Sequence, residues 1–294
     1  MKSYPKISIV VPSFNQGQFI GETLESLINQ QYPNLEIIVI DGRSIDNSVA
    51  VIERYASHIK HWVSEKDNGQ AHAINKGIAH ATGDLFNWLN SDDVLEPGAL
   101  HHLADLYNQN PAKNLFIGKT RFFDAKGTIR NSTPIIFKSI TTTLGYGQVN
   151  QPGMFYSKNA LAELLPLDET LRMCMDLDLW LRYLVKFGQD GICQSDYVLA
   201  GFRFHGDSKT MSAENPFREE RNFLYEKLFS ENRHNEIVQS AIPHYYLWYA
   251  DELLGEEKIS EAREKLKAVS FIKLNFEGKR RFVGIYRRVK LKIK

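Results

Sequence analysis

Residues Leu85 to Leu95 read L-F-N-W-L-N-S-D-D-V-L, an apolar run that stops at two adjacent carboxylates. Leu85, Phe86, Trp88 and Leu89 have the side chains and run length of a buried strand, and Pro97-Gly98 marks the turn into the next helix. In an open α/β sheet, ligands bind beyond the carboxyl ends of the strands, so Asp92 and Asp93 are expected at the rim where chemistry takes place. Neighbouring carboxylates repel each other unless a shared proton or a cation lies between them. A hard divalent ion, Mg2+ or Mn2+, is the common solution, and such an ion also suits a diphosphate. An isolated Ser-Asp-Asp would more often simply solvate a loop. The flanking segments decide between the two.

Upstream, Ile7 to Val11 is a short β-branched run ended by Pro12-Ser13-Phe14-Asn15, followed by a helical pattern from Phe19 to about Gln30. Leu35 to Ile40 is a second buried strand that runs into Asp41-Gly42-Arg43-Ser44-Ile45-Asp46, with Asp46 or Asn47 able to cap a helix over Ser48 to Tyr55. Ile59 to Val63 is a weaker strand ending near Asp67. Ala71, Ile74, Ile78 and Ala81 then recur at helical spacing, and Thr82-Gly83 closes that helix. Four β/α alternations predict a parallel sheet with right-handed crossovers. Its strand ends would carry Pro12 to Asn15, Asp41, Asp67 and Asp92-Asp93. Each acid alone suits a helix cap, but three on one rim repel one another unless a ligand or cation offsets the charge. Asp41 could accept the N3-H of a uracil ring, and Asp92 could hold a ribose hydroxyl. With no G-x-G-x-x-G and no G-x-x-x-x-G-K-[ST], neither a dinucleotide fold nor a P-loop is supported.

The composition is that of an ordinary globular chain: 294 residues, 43% apolar and 24% charged. A net charge of +1 argues against a nucleic-acid partner. Two cysteines, Cys174 and Cys193, define no disulfide framework, so a reducing cytosol is the expectation. No stretch is apolar enough to span a bilayer. From Lys279 onward there is no acid, and basic residues alternate with Phe282, Val283, Ile285, Tyr286, Val289 and Leu291. Such a segment could lie on the inner face of an anionic membrane or be a solvated tail.

Downstream of the acidic tip, Pro97 to about Asn110 reads as a helix, Leu115 to Asp124 as an extended segment and Lys126-Gly127 as a turn. Thr141 to Gln151 is polar and aperiodic, and is expected to be a loop, either over the substrate or plainly on the surface. Met154 to Tyr156 reads as a strand and Lys158 to Leu165 as a helix. In M-C-M-D-L-D-L-W-L-R, from Met173 to Arg182, the apolar spacing puts Asp176 at a helix N-terminus, where the helix dipole stabilises a carboxylate. Tyr197 to Phe204 is a final strand, with Arg203 and Lys209 flanking His205. The two cations could neutralise a diphosphate. From Pro216 the pattern turns helical, and Tyr245, Tyr246, Trp248 and Tyr249 suit core packing or a partner surface better than sugar stacking.

In order, V-V-P-S-F-N, I-D-G-R-S-I-D, S-E-K-D-N-G-Q and W-L-N-S-D-D-V-L resemble the nucleotide-binding half of the GT-A fold glycosyltransferases of family 2. The likeness is close over Lys6 to Glu96 and looser to about Thr210. It implies a Rossmann-like, mostly parallel sheet sandwiched by helices over residues 1–212, and a helical extension with a basic tail over 213–294. It also implies that Pro12, Ser13, Asn15, Asp41 and Asp67 surround the nucleoside, that Asp92 and Asp93 stand at the D-x-D metal motif, and that His205 is a late metal ligand for Mn2+ or Mg2+. The stretch around Asp176 resembles E-D-x-D-L-W-L-R, whose first aspartate is the catalytic base. Three positions depart from the family pattern: Asn90 and Met175 stand where many relatives carry acids, and Ile74 where many carry an arginine. The function implied is inverting transfer of a sugar from a nucleoside diphosphate, UDP-sugars first, to a saccharide or lipid-linked acceptor. The rivals are a non-catalytic binding scaffold and a sugar-nucleotide pyrophosphorylase, which would need a basic, Gly-rich loop where Pro12 to Gly17 has no Lys or Arg.

Overall fold

The computed structural model describes residues 4–132, 135–206 and 216–292. The chain divides into two compact units, one of residues 1–134, 150–179 and 190–220, the other of 135–149, 180–189 and 221–294.

The first unit is built on a mixed sheet. Strands β1 (Ile7–Ser13), β2 (Leu35–Asp41), β3 (His61–Ser64) and β4 (Leu85–Trp88) are mutually parallel, with Ile7 level with both Leu35 and Leu85. Every residue of β1 and β4 is buried, as expected of parallel strands covered on both faces. The remaining strands are β5 (Val94–Leu95), β6 (Leu115–Asp124), β7 (Gly127–Asn131), β8 (Met154–Ser157) and β9 (Ile192–Arg203). The order is β3-β2-β1-β4-β8-β6-β9-β5, with β7 beside β6. The β/α alternation gives the parallel half. Beyond it β8 enters antiparallel between β4 and β6, so the sheet is mixed. Helices α1 (Ile20–Ile28), α2 (Ser48–Arg54), α3 (Gln70–Ile78) and α4 (Ala99–Gln109) follow the first strands, and Ile20, Leu24, Leu27 and Leu100 join β-strand side chains in one apolar core.

Two buried polar groups lock this sheet. Asn87, inside β4, is paired through Gln151 Nε2 (2.8 Å) and the Pro152 carbonyl (2.9 Å), which fixes the turn that leads into β8. At the amino end of the strands, Glu36 accepts from Ser8 Oγ (2.7 Å), Thr82 N (3.0 Å) and Lys60. Burial pushes its carboxyl up, but the hydrogen bonds from Lys60, Thr82 and Ser8 outweigh burial and hold it well below the usual carboxylate range.

Helices α5 (Ile140–Tyr146), α9 (Glu236–Gly255), α10 (Ile259–Lys267) and α11 (Phe276–Lys292) belong to the second unit. The expected loop over Thr141 to Gln151 is instead a buried helix through Tyr146, and 151–153 form a 3-10 turn. Its polar letters serve internal bonds: Thr142 Oγ1 accepts from Asn275 (2.8 Å) and Thr143 Oγ1 from Phe137 N (2.9 Å). Gly145 lets α9 approach, since a Cβ there would lie 2.5 Å from the His244 Cβ and 2.7 Å from the Ala241 carbonyl oxygen. The aromatic run of α9 packs inward. Tyr245 stacks on Tyr225 at 4.0 Å, and the Arg221 guanidinium lies 3.6 Å over Trp248. The basic tail is a helix with Ile285 and Val289 buried, and Arg281 and Arg288 both paired with Asp251 of α9. No helix among the described residues is long and apolar enough to cross a membrane.

Candidate active site

The parallel strands end along one edge, and the loops that follow them are tied together side chain by side chain. After β1, Asn15 adopts a left-handed backbone (φ 53°), its N–H donating to Ser44 Oγ (2.8 Å) while its own Oδ1 accepts from Ile45 N (2.9 Å). Gln16 N and Gly17 N donate to Ser48 Oγ and Asp46 Oδ2, each at 2.9 Å. Asp41, at the end of β2, is fully buried, and its carboxylate accepts from Ser44 N (2.9 Å), Ser44 Oγ (2.5 Å) and Ser64 Oγ (2.6 Å). Two of these bonds fold the loop after β2 back onto Asp41 and the third ties Asp41 to the end of β3, so Asp41 is engaged by Ser44 and Ser64. Pro12 and Ser13 are buried beside it. Ser13 Oγ has no hydrogen-bond partner among the described residues, an orphaned polar atom at the head of β1.

Asp67 is partly exposed in the loop before α3. It accepts the Gly69 N–H (2.8 Å), and Gly42 gives it room, because a Cβ there would stand 2.7 Å from Asp67 Oδ2. Gln70 Nε2, in the first turn of α3, donates to Asn90 Oδ1 (2.6 Å), linking the β3 loop to the acidic tip after β4.

That tip separates its two carboxylates. Asp93 is 1% exposed and accepts from Arg203 N (3.0 Å) and Asn90 Nδ2 (3.2 Å). Burial first, and the Asp92 charge second, push its carboxyl well above the usual carboxylate range. The repulsion expected from the sequence is thus relieved by withdrawing one acid. Asp92 is partly exposed and meets His205 Nε2 at 2.9 Å, and the His205 ring packs against Phe19 at 4.4 Å. Arg203 holds the arrangement rigid: its Nε donates to the Asp92 carbonyl (2.9 Å), its Nη2 to Glu22 of α1 (2.6 Å), and its guanidinium lies 4.5 Å from the Phe123 ring. Lys209 lies outside the described residues.

Among the described residues no cluster of three or more His, Cys, Asp or Glu side chains could hold a metal ion. The residues present nevertheless fit Mn2+ or Mg2+. A carboxylate and an imidazole lie side by side at Asp92 and His205, and such ions are often held by one or two side chains with phosphate oxygens supplying the rest.

Asp176 stands in the first turn of α7 (Met175–Phe187), as the apolar spacing predicts, and its Oδ1 accepts from Leu177 N (2.8 Å). The segment leading to it is fastened to the β3–α3 region. Asn75 of α3 accepts from Leu167 N (2.9 Å) and donates to Leu167 O (3.0 Å) and Glu169 (2.9 Å), and Arg172 donates to the Asn68 carbonyl. Glu220 of α8 (Pro216–Glu231) accepts three successive backbone N–H groups, of Arg172 and Met173 (each 2.7 Å) and Cys174 (2.5 Å). Glu220, Ser44, Ser64 and Gln70 were not legible as site residues. Each is a common polar letter whose role depends on a partner distant in sequence.

Residues 8–162 match the family profile described as Glycosyl transferase family 2. An uncharacterized glycosyltransferase of Rickettsia bellii is 28% identical over 248 residues, covering 80% of this chain and 35% of that protein. The chain spans only 35–41% of the length of the first such relatives. Among solved structures, S. aureus TarS 1-349 in complex with UDP-GlcNAc superposes with a TM-score of 0.67 at 17% identity, over 98% of this chain and 91% of that one. A mannosyltransferase of Pyrobaculum calidifontis, PcManGT, in complex with GDP-Man and Mn2+, gives 0.60 at 17% identity, over 90% and 75%. At these identities the two likenesses establish the fold, a GT-A-like α/β sheet followed by helices.

Proposed function

The chain belongs to glycosyl transferase family 2, and from that premise we propose that it transfers a sugar, with inversion, from a nucleoside diphosphate donor to an acceptor hydroxyl. The observation that carries this reading is the rim itself, where Asp92 faces His205 while Asp67 and the orphaned Ser13 Oγ lie at neighbouring strand ends. UDP-sugars are the first donors to test, with GDP-sugars next, because structural neighbours were solved with UDP-GlcNAc, UDP and GDP-Man. The acceptor is a saccharide or lipid-linked hydroxyl, in keeping with cell-surface polysaccharide or glycolipid synthesis.

Pro12, Ser13, Asn15 and Asp67 border the nucleoside, and Asp41 shapes its wall through Ser44 and Ser64. Asp92 and His205 would hold the divalent ion, which when bound would supply positive charge against the leaving diphosphate. Asp93 and Arg203 fix the tip on which Asp92 is carried. Asp176 accepts the proton of the acceptor hydroxyl as its oxygen bonds to the anomeric carbon. The bond from that carbon to the diphosphate breaks on the opposite face, and one displacement inverts the configuration.

A screen of UDP-, GDP- and dTDP-sugar turnover tests the reading, with Asp176→Asn beside the unaltered chain. The variant should bind donor within about twofold and turn over roughly 100-fold or more slowly. Near-normal turnover would remove the base from Asp176. Failure of the unaltered chain to bind any nucleoside diphosphate would favour a carbohydrate-binding scaffold.

A further inference from the structure

We infer that the outward face of α11 is a docking surface for an anionic lipid bilayer. This goes beyond the catalytic reading and does not depend on it. Residues 276–294 contain eight Lys or Arg and one acid, Glu277. Two of the cations have an internal use, because Arg281 (2.9 Å) and Arg288 both pair with Asp251 and, together with buried Ile285 and Val289, fasten the helix to α9. The opposite side is left. At intervals of three and four residues it presents Phe276, Arg280, Val283, Arg287 and Leu291, with Lys279, Tyr286 and Lys290 beside them.

Several of the most exposed large apolar side chains of the described residues lie together here. Here Phe276 is 84% exposed and Leu291 73%, and Ile272 in the preceding 3-10 turn is 88% exposed, next to Phe271 and Lys273. The cations and rings are interleaved rather than segregated: Lys290 Nζ lies 5.0 Å from the Tyr286 ring and Lys279 Nζ 5.8 Å from that of Phe271. Large apolar side chains projecting among basic ones match the chemistry of an interfacial helix. The rings and aliphatic groups enter the headgroup–acyl boundary, while the ammonium and guanidinium groups meet lipid phosphates. An acidic protein partner would use the charge but gives no reason for isolated, fully projecting Phe, Leu and Ile.

Co-sedimentation of the full chain with vesicles tests this. The unaltered chain should pellet with vesicles of phosphatidylcholine mixed with phosphatidylglycerol, stay in the supernatant with phosphatidylcholine alone, and be released by high salt. Arg280→Glu combined with Arg287→Glu and Lys290→Glu should reduce partitioning about tenfold or more. Phe276→Ser with Leu291→Ser should reduce it independently, and as these side chains project outward, both variants should keep the melting temperature and circular dichroism of the parent. An unaltered chain left in solution with anionic vesicles, equal binding to neutral ones, or full binding by either folded variant would overturn the inference.

Discussion

Asp93 keeps its carboxyl inside the fold, where the Arg203 N–H and the Asn90 side chain hold it, whereas Asp92 stays partly exposed beside His205. The two neighbours should therefore respond differently to the same change. Asp93→Asn resembles the protonated acid in shape and should cost about 1–2 kcal/mol of stability, read by urea unfolding, with metal-linked nucleotide affinity retained. Asp92→Asn should unfold normally and lose that affinity. The reverse pattern would put the metal on Asp93. The sequence makes both carboxylates visible and makes their conflict visible too. It does not show which one turns inward, because that depends on Arg203, 110 residues away along the chain. Asp41 reads from the sequence as a nucleoside contact and Arg203 as a cation for the diphosphate; in the structure Arg203 bonds across to Glu22 and Asp41 to Ser44 and Ser64, partners the sequence does not show.

Among the elements, β1, β2 and β4 are readable because each is a short, mostly apolar run followed by a turn, the pattern of a covered parallel strand, whereas β3 lies half-exposed at the sheet edge and gives the weaker signal. The helix α5 is not readable, since Thr142, Thr143 and Gly145 look like loop letters until Asn275, Phe137 and the closely packed α9 supply their partners. The approach to α7 is a further case of hidden organisation. Three consecutive amides converge on Glu220, so Glu220 positions the turn that carries Asp176. Replacing it with Ala leaves those amides without their charged acceptor and should cost about 2 kcal/mol. Turnover should fall about tenfold while donor affinity holds, with Glu220→Gln recovering part of the loss. A fall in donor affinity with turnover unchanged would show that the contact serves binding instead.

For the whole molecule, acid should act on both units by different groups. His244 is buried in the second unit, and burial pushes its pKa down to about 4. The unfolded chain binds that proton near pH 6.5, so stability is complete above 6.5, declines as pH falls toward 4, and is reduced by about 3 kcal/mol at most. Urea unfolding of the parent and of His244→Leu across this range should show a shallower slope in the variant, the remainder coming from other groups such as His61 and His102, whose pKa values burial also lowers. Glu36 works in a lower window: its depressed carboxyl contributes stability above the ordinary glutamate range, and that contribution is lost as pH falls below it. On the proposed reading, the purpose of the strand-end rim of the first unit is to hold a nucleoside diphosphate and its ion. Titration calorimetry of UDP, GDP and dTDP with and without Mn2+ measures that purpose directly. At least one nucleotide should bind about tenfold or more tightly with Mn2+, and Asp92→Asn should abolish the difference. Equal affinity with and without the ion, or no binding of any of the three, would contradict the account.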